Sequence, residues 1–581
     1  MTRTFAALAL ALLLTADASA QVLRGGTSGD TPRRPVSTAT AITNARVVVA
    51  PGRVLDRATV VVRDGRITAV GRDAEVPFDA RIVEGDSLWV YAAFLDAFAT
   101  AGVEDAEDVE YDGDRGDPPR ERAGIVPDRD VRGAFKPADT GVKALREAGF
   151  AAAHVAPTDG LFAGIGRVVL LRESGRAETM ETLFLPATET AIAQIDGASG
   201  VYPATPMAVL SVMRETAENA RREGTRRGAF SRDARGVDRP RFDPVQEALA
   251  PVFSGDRPLV FHVEGWLDAH RALRVTEEMG VPQTILAGVP DVAPALDKIV
   301  AGGVSVFAPL ALPDSVEADS AAQAVALPPP SQANPGGVSF VTDRRTVSFR
   351  DTETETGLLT AQRIAGVGAA ERSPARLADA GVTFAFGSFG AKGKDVRTNL
   401  RRMVGAGLSP EAALGALTTA PAELMGLSST LGTVERGKLA NLLVTTGDYF
   451  ADSTQVRMVF VEGVRHEIEA KAAAASGDPD AVVEIVGTWT YEVEVAGSSQ
   501  SGTFTITGEP GSFEGSLSAE GETVNMTSVT LSGNALTFVL PPSDGTPEVT
   551  VSGIVTDGEL EATAEVGSFG AFPFTATRQP E

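Results

Sequence analysis

The chain has 581 residues and not one cysteine. Disulfides, thiolate-bound zinc, a cysteine nucleophile and a lipid-bearing N-terminal cysteine are excluded together. Histidine is almost as scarce, with His154, His262, His270 and His466 making up the whole set of 4. Any metal centre rich in imidazole would have to draw on these few side chains. Lysine is rare too, so arginine supplies most of the 52 basic residues. These are outweighed by 77 acids, for a formal net charge of −25. That balance disfavours nucleic acid and anionic membrane surfaces as partners of the molecule as a whole. An acidic, lysine-poor surface suits a salt-adapted host, and a GC-rich genome favouring arginine codons accounts for it equally well.

Long apolar runs are confined to one place. Arg3 precedes an unbroken apolar stretch at residues 5–14, followed by Ala18-Ser19-Ala20 and Gln21. Ten apolar residues are about half of what a membrane-spanning helix needs. The pattern reads as a secretory signal peptide over 1–20, cleaved before Gln21, with a secreted or periplasmic destination and no membrane span in the mature chain. Residues 21–38, rich in Gly, Ser, Thr, Pro and Arg, read as a flexible linker.

What is present is 43% hydrophobic, enough for several cored units. The pattern changes three times along the chain. Near residue 39 it begins as alternating strands, with Asp64-Gly65 between VVVR and RITAV as a hairpin signal. From about residue 93 to 427 buried strands alternate with amphipathic helices, as in GVKALREAGFAAAHVA and RPLVFHVEG followed by LDAHRALRVTEEMG. Such alternation predicts a parallel sheet or barrel. From about 433 to 467 strands return, and 469–482 is an Ala/Ser/Gly/Asp linker. Residues 483–578 then predict about eight short antiparallel strands with glycine-rich turns, a barrel or sandwich with an accessory role.

The opening ARVVVAPGRVLDRATVVVRDGRITAVGRDAEVPFDARIVEGDSLWVYAAFLDA and the close EAALGALTTAPAELMGL, LGTVERGKLANLLVTTGDYF and VRMVFVEGVRHEI resemble the metal-dependent amidohydrolase superfamily, in its imidazolonepropionase-like branch. The resemblance spans about residues 39–467 and leaves the C-terminal β segment outside. It implies an α/β fold with a (β/α)8 TIM-type barrel over 93–427, flanked by a composite β-sandwich from 39–92 and 428–468. It also implies a zinc-dependent hydrolase of carbon–nitrogen bonds.

The residues that would hold zinc are nearly all replaced. Where the family ends its first barrel strand with Asp-x-His-x-His, this chain reads FLDAFAT: Asp96 is kept, but Phe98 and Thr100 stand for the histidines. The bridging lysine should fall near Ala191-Ile192-Ala193-Gln194, where no lysine exists. His262 in LVFHVEG matches the next ligand, with Glu264 two residues on. Ala287 in ILAG replaces a further histidine, and Phe389 in FGSFG replaces the aspartate that activates the metal-bound water. One imidazole and one carboxylate do not make a three-ligand catalytic zinc site. No cofactor is therefore expected.

Each of these residues also has a plain structural reading. His262 is either a satisfied core histidine or a polar contact in a leftover cleft, and His154 ends a strand that faces either the same mouth or the core. Asp96 orders a strand end, while His270 and His466 are structural or exposed. The acidic stretch from Glu104 to Asp117 reads as a solvated loop; it lacks the spacing of a calcium-binding loop. Ser388 in FGSFG misses the first glycine of a nucleophile elbow and has no evident histidine–acid partner.

Two functional classes follow. One is a non-catalytic scaffold that binds a small molecule or protein partner at an apolar pocket anchored by His262 and Glu264. The other is a hydrolase of cyclic amides or dipeptide-like substrates with an atypical site around His262, Glu264 and His154.

Overall fold

In the computed structural model the described residues are 39–104, 111–172, 180–198, 200–236, 238–313, 349–451, 454–468, 481, 483–495, 498–509, 512–519, 522–541, 549–556, 558–566 and 570–579. The expected signal peptide, the 21–38 linker and nearly all of the 469–482 linker lie outside them. The chain divides into two compact units, one over Pro35–Ile468 and one that includes Glu469–Glu581.

The first unit opens with β1 (Thr40–Ala50), β2 (Arg53–Arg63), β3 (Arg66–Gly71), β4 (Arg81–Glu84) and β5 (Trp89–Ala92). Asp64 and Gly65 both take left-handed backbone angles, φ 51° and 73°, between β2 and β3. This is the two-residue turn whose twist matches an antiparallel hairpin. The barrel strands follow: β6 (Phe94–Ala99), β7 (Phe150–Val155), β8 (Phe162–Leu170), β9 (Thr190–Gln194), β10 (Leu259–His262), β11 (Thr284–Ala287), β12 (Ser305–Pro309) and β13 (Phe384–Gly387). The chain then returns to the first sheet with β14 (Leu442–Thr445), β15 (Val456–Val461) and β16 (Val464–Glu467). The helices described are α1 (Thr140–Glu147), α2 (Pro206–Arg232), α3 (Pro244–Ser254), α4 (Trp266–Glu278), α5 (Leu296–Gly302), α6 (Phe349–Asp379), α7 (Gly393–Gly405), α8 (Pro410–Leu417) and α9 (Thr419–Leu424).

The two ends of this unit share one sheet, ordered β16-β15-β14-β5-β1-β2-β3 with β4 on β1. The seam is antiparallel, Leu442 opposite Ala92 and Val444 opposite Val90. Alternation along β14 divides its side chains between two cores. Leu442 and Val444 join Ile42, Val60, Val90 and Phe460, whereas Leu443 packs into the barrel's core with Tyr91 and Val459.

The eight barrel strands run in order β6 to β13. Four of them, β6, β7, β9 and β13, are buried along their whole length and none has an exposed residue, as expected for strands covered on both faces. Closure between β13 and β6 is made by Phe389, whose N–H donates to Phe98 O at 3.1 Å.

The barrel is not a regular (β/α)8, which corrects the expectation. Strand β8 lies antiparallel to both β7 and β9. Residues 156–161 joining β7 to β8 are too few for the dozen or so that a crossover helix requires, so the chain turns straight back.

The second unit is all-β: β17 (Gly487–Val495), β18 (Ser498–Glu509), β19 (Ser512–Ala519), β20 (Glu522–Asn525), β21 (Ser528–Ser532), β22 (Ala535–Leu540), β23 (Val549–Thr556), β24 (Glu559–Val566) and β25 (Gly570–Arg578). Nine strands, one more than expected, form a single antiparallel sheet that curls into a half-barrel rather than two layered sheets. Its core stacks Trp489 on Phe504 at 5.7 Å and Tyr491 on Phe574 at 5.1 Å.

Candidate functional site

Parallel barrel strands place their last residues on one face, where loops can surround a ligand. Three of those ends align here: Gln194, His262 and Ala287 are direct cross-strand neighbours on β9, β10 and β11. The end of β6 and the residue pair after β13 complete the circle with Phe98, Ser388 and Phe389.

The centre of this circle is filled by rings. Phe98 stacks on Phe389 with centroids 4.7 Å apart and on His262 at 5.4 Å, with interplanar angles of 10° and 11°. His262 and Phe389 lie 5.9 Å apart at 18°. Two glycines make room for this group. A Cβ on Gly387 would stand 2.7 Å from the Phe389 ring and 2.9 Å from Phe98 Cβ. A Cβ on Gly288, whose φ is 93°, would stand 3.1 Å from the His262 ring and 2.8 Å from Val263 O. Phe389 itself is held at φ 48°, a left-handed conformation that costs a side-chain-bearing residue about 1 kcal/mol. Ring stacking and the bond to Phe98 O offset that strain.

Beneath the rings, Asp96 is fully buried. Its Oδ1 accepts from Phe98 N at 3.0 Å and from Ser388 N at 2.9 Å, tying the two closing strands together. Its Oδ2 is buried with no partner. Burial pushes this carboxyl up to about 6, against the pull of the Ser388 and Phe98 hydrogen bonds.

His154 is also fully buried. Its Nδ1 lies 3.0 Å from Ala97 O, a carbonyl that can only accept, so Nδ1 carries the proton. Its Nε2 therefore accepts from the Thr190 hydroxyl at 2.7 Å. Burial lowers the imidazole to about 4, so it stays neutral. His154 stands near Phe98, at 6.3 Å between centroids, but it is sealed inside the barrel.

His262 is half-buried, with Nδ1 3.3 Å from Gln194 Oε1. Burial lowers its pKa, and the carboxylates of Glu264 and Asp196 act in the opposite direction. Glu264 itself does not share a strand face with it: β10 ends at His262, and Glu264 is exposed on the loop that follows. Thr100 lines a cavity of about 30 Å³ with Glu104, Arg129, Asp130 and Asp159. His270 is remote, on α4, and donates to Pro294 O.

Zinc does not fit this set of residues. Phenylalanine and alanine have no donor electrons, Asp96 is committed to two backbone amides, and stacked rings occupy the space between the strand ends. Among the described residues no group of three or more His, Cys, Asp or Glu is placed to hold a metal. Sequence reasoning passed over Gln194 and Thr190 as functional neighbours. A polar residue ending the apolar strand TAIAQ was the available signal.

The first unit is thus an eight-stranded barrel flanked by a sheet drawn from both of its own ends, with the candidate site at the strand ends. A model of the amidohydrolase family matches residues 353–465, from α6 through β13 to β16. An amidohydrolase from Thermotoga maritima MSB8 superposes with a TM-score of 0.55 at 19% identity, over 73% of this chain and 99% of that one. A prolidase complexed with N-methylphosphonate-L-proline gives a TM-score of 0.42 at 15% identity, over 74% and 100%, and the fold assignment does not rest on it. No curated protein sequence matches. The family model covers about a fifth of the chain, and the likeness to the Thermotoga maritima protein shows a shared fold.

Proposed function

We propose that this protein is a non-hydrolytic member of the superfamily, an exported scaffold that binds a small molecule at the mouth of its barrel. The observation carrying this reading is the Phe98–His262–Phe389 stack. It puts two apolar rings where the resemblance implies a metal ligand and a water-activating carboxylate, so the electrophile and that carboxylate base are both missing and His262 is the one basic group left in the stack. The surface left at the mouth is the half-buried Phe389 and His262, with Glu264 and Asp196 nearby. An aromatic face beside carboxylates suits a planar or cationic group, through ring stacking and cation–π attraction.

The test is metal analysis of tag-free protein alongside hydrolysis of cyclic amides and dipeptides, with and without chelator. The expected result is substoichiometric zinc and no chelator-sensitive turnover. Stoichiometric zinc, with activity lost on chelation and restored by metal, would overturn the reading. Turnover that ignores chelators but disappears in His262→Ala would instead establish a metal-free hydrolase.

A further inference from the structure

The C-terminal half of α2 has no part in the barrel or its mouth. Val209, Val212, Met213, Thr216, Ala217 and Ala220 bury the first half of this helix, and no residue after Ala220 is buried. A Cβ added at Gly224 or Gly228 would meet nothing within 4 Å, so that face of the helix is open, while Arg227 on the other side pairs with Glu247 of α3. Residues 233–236 and 238–243 lie between this helix and α3, and Arg227 donates to Arg241 O at 3.4 Å.

This arm inverts the charge of the molecule. Between residues 221 and 241 lie eight arginines against Glu223, Asp233 and Asp238, in a chain of formal charge −25. The arginines nearest the core are paired, Arg222 with Glu218 at 3.0 Å and Arg227 with Glu223 at 3.2 Å. Farther out, Arg232, Arg235, Arg239 and Arg241 are all exposed and have no ion pair among the described residues. Phe242 follows directly and is 77% exposed, one of the most exposed large apolar side chains described.

We propose that this arm, the end of α2 with residues 233–236 and 238–243, docks the protein on an anionic lipid surface. Guanidinium forks match phosphate geometry and stay charged at any physiological pH. An aromatic side chain beside them can enter the boundary between headgroups and acyl chains. The four unpaired arginines and Phe242 are all exposed, which suits a broad plane of phosphates. A single nucleic-acid strand is held instead in a basic groove lined with stacking aromatics. The acidic remainder of the molecule opposes contact, but screening limits that repulsion to about 8 Å at physiological salt. The arm therefore meets the surface first, and the net charge orients the molecule instead of excluding it. One aromatic residue and a few arginines make this attachment weak and reversible.

The experiment is co-sedimentation of the full chain with vesicles of equimolar phosphatidylglycerol and phosphatidylcholine, and with phosphatidylcholine alone. It is repeated with the fourfold variant R232Q/R235Q/R239Q/R241Q and with Phe242→Ser. All five positions are exposed, and circular dichroism checks that each variant stays folded. The expected result is binding to the anionic vesicles only, weakened at least roughly tenfold by the fourfold variant and by raised salt, and less by Phe242→Ser. No binding to anionic vesicles, or binding unchanged in the fourfold variant, would overturn the proposal. Tighter capture of single-stranded DNA or polyglutamate than of the vesicles would do the same.

Discussion

Gly387 shows how narrowly the stack at the barrel mouth is fitted. A methyl group there would stand 2.7 Å from the Phe389 ring, so Gly387→Ala should lower stability by about 1–3 kcal/mol, read as a shift in urea midpoint at unchanged slope. Phe98→Ala should be worse, at about 3–5 kcal/mol, because it empties a fully buried site. Phe389→Gly should cost less than Phe98→Ala, since losing the ring also releases the strain at φ 48°.

The two buried titrating groups below make opposing contributions. Asp96 has its folded pKa raised to about 6, so the native state holds the extra proton, and this group's contribution falls as pH rises from about 4 to 6. His154 is depressed to about 4, so the unfolded state holds the extra proton, and its contribution rises over nearly the same range. The two slopes cancel approximately. Asp96→Asn should therefore unmask a stability that climbs with pH between about 4 and 6, at roughly 1.4 kcal/mol per unit relative to the parent. A difference between the two proteins that stays flat with pH would refute the role of Asp96 burial.

At the scale of elements, the β5–β14 seam joins segments about 350 residues apart in sequence, a connection only tertiary pairing can make. Val444 is fully buried there, opposite Val90. Val444→Asp places a carboxylate in an apolar core without a partner and should unfold the Pro35–Ile468 unit at ordinary temperature. Retained near-ultraviolet dichroism in that variant would count against the seam as a stabilising contact. The buried strand β8 reads the same in either direction, so its reversal is decided by the connection. Residues 156–161 are short and carry Pro157 and Asp159-Gly160, a turn signal of the same kind as Asp64-Gly65 that the reading of alternating strands and helices passed over.

At the scale of the molecule, the half-barrel at the C-terminus has its own core, with Trp489, Phe504, Phe538 and Phe574 buried together. A fragment of residues 483–578 should unfold cooperatively in urea, with the Trp489 fluorescence change coinciding with loss of strand dichroism. A fragment lacking any such transition would show that this unit depends on the rest of the chain. For the whole protein, N-terminal sequencing after export should give Gln21, and recovery of Met1 would remove the case for secretion.

The sequence by itself determined the alternation of elements, the return of the chain to its first sheet and the replacement of all but His262 and Asp96 among the zinc-site side chains that the resemblance implies. These are matters of period and side-chain chemistry, and both are written locally. Only the tertiary structure decided that Phe98, His262 and Phe389 close face to face, that Glu264 is left outside them, and that His154 is sealed away with Thr190. It also decided that Gly387 and Gly288 lie under the rings. Those outcomes depend on close packing between strands far apart in the chain, where a few tenths of an ångström separate contact from clash. No reading along one strand carries that information.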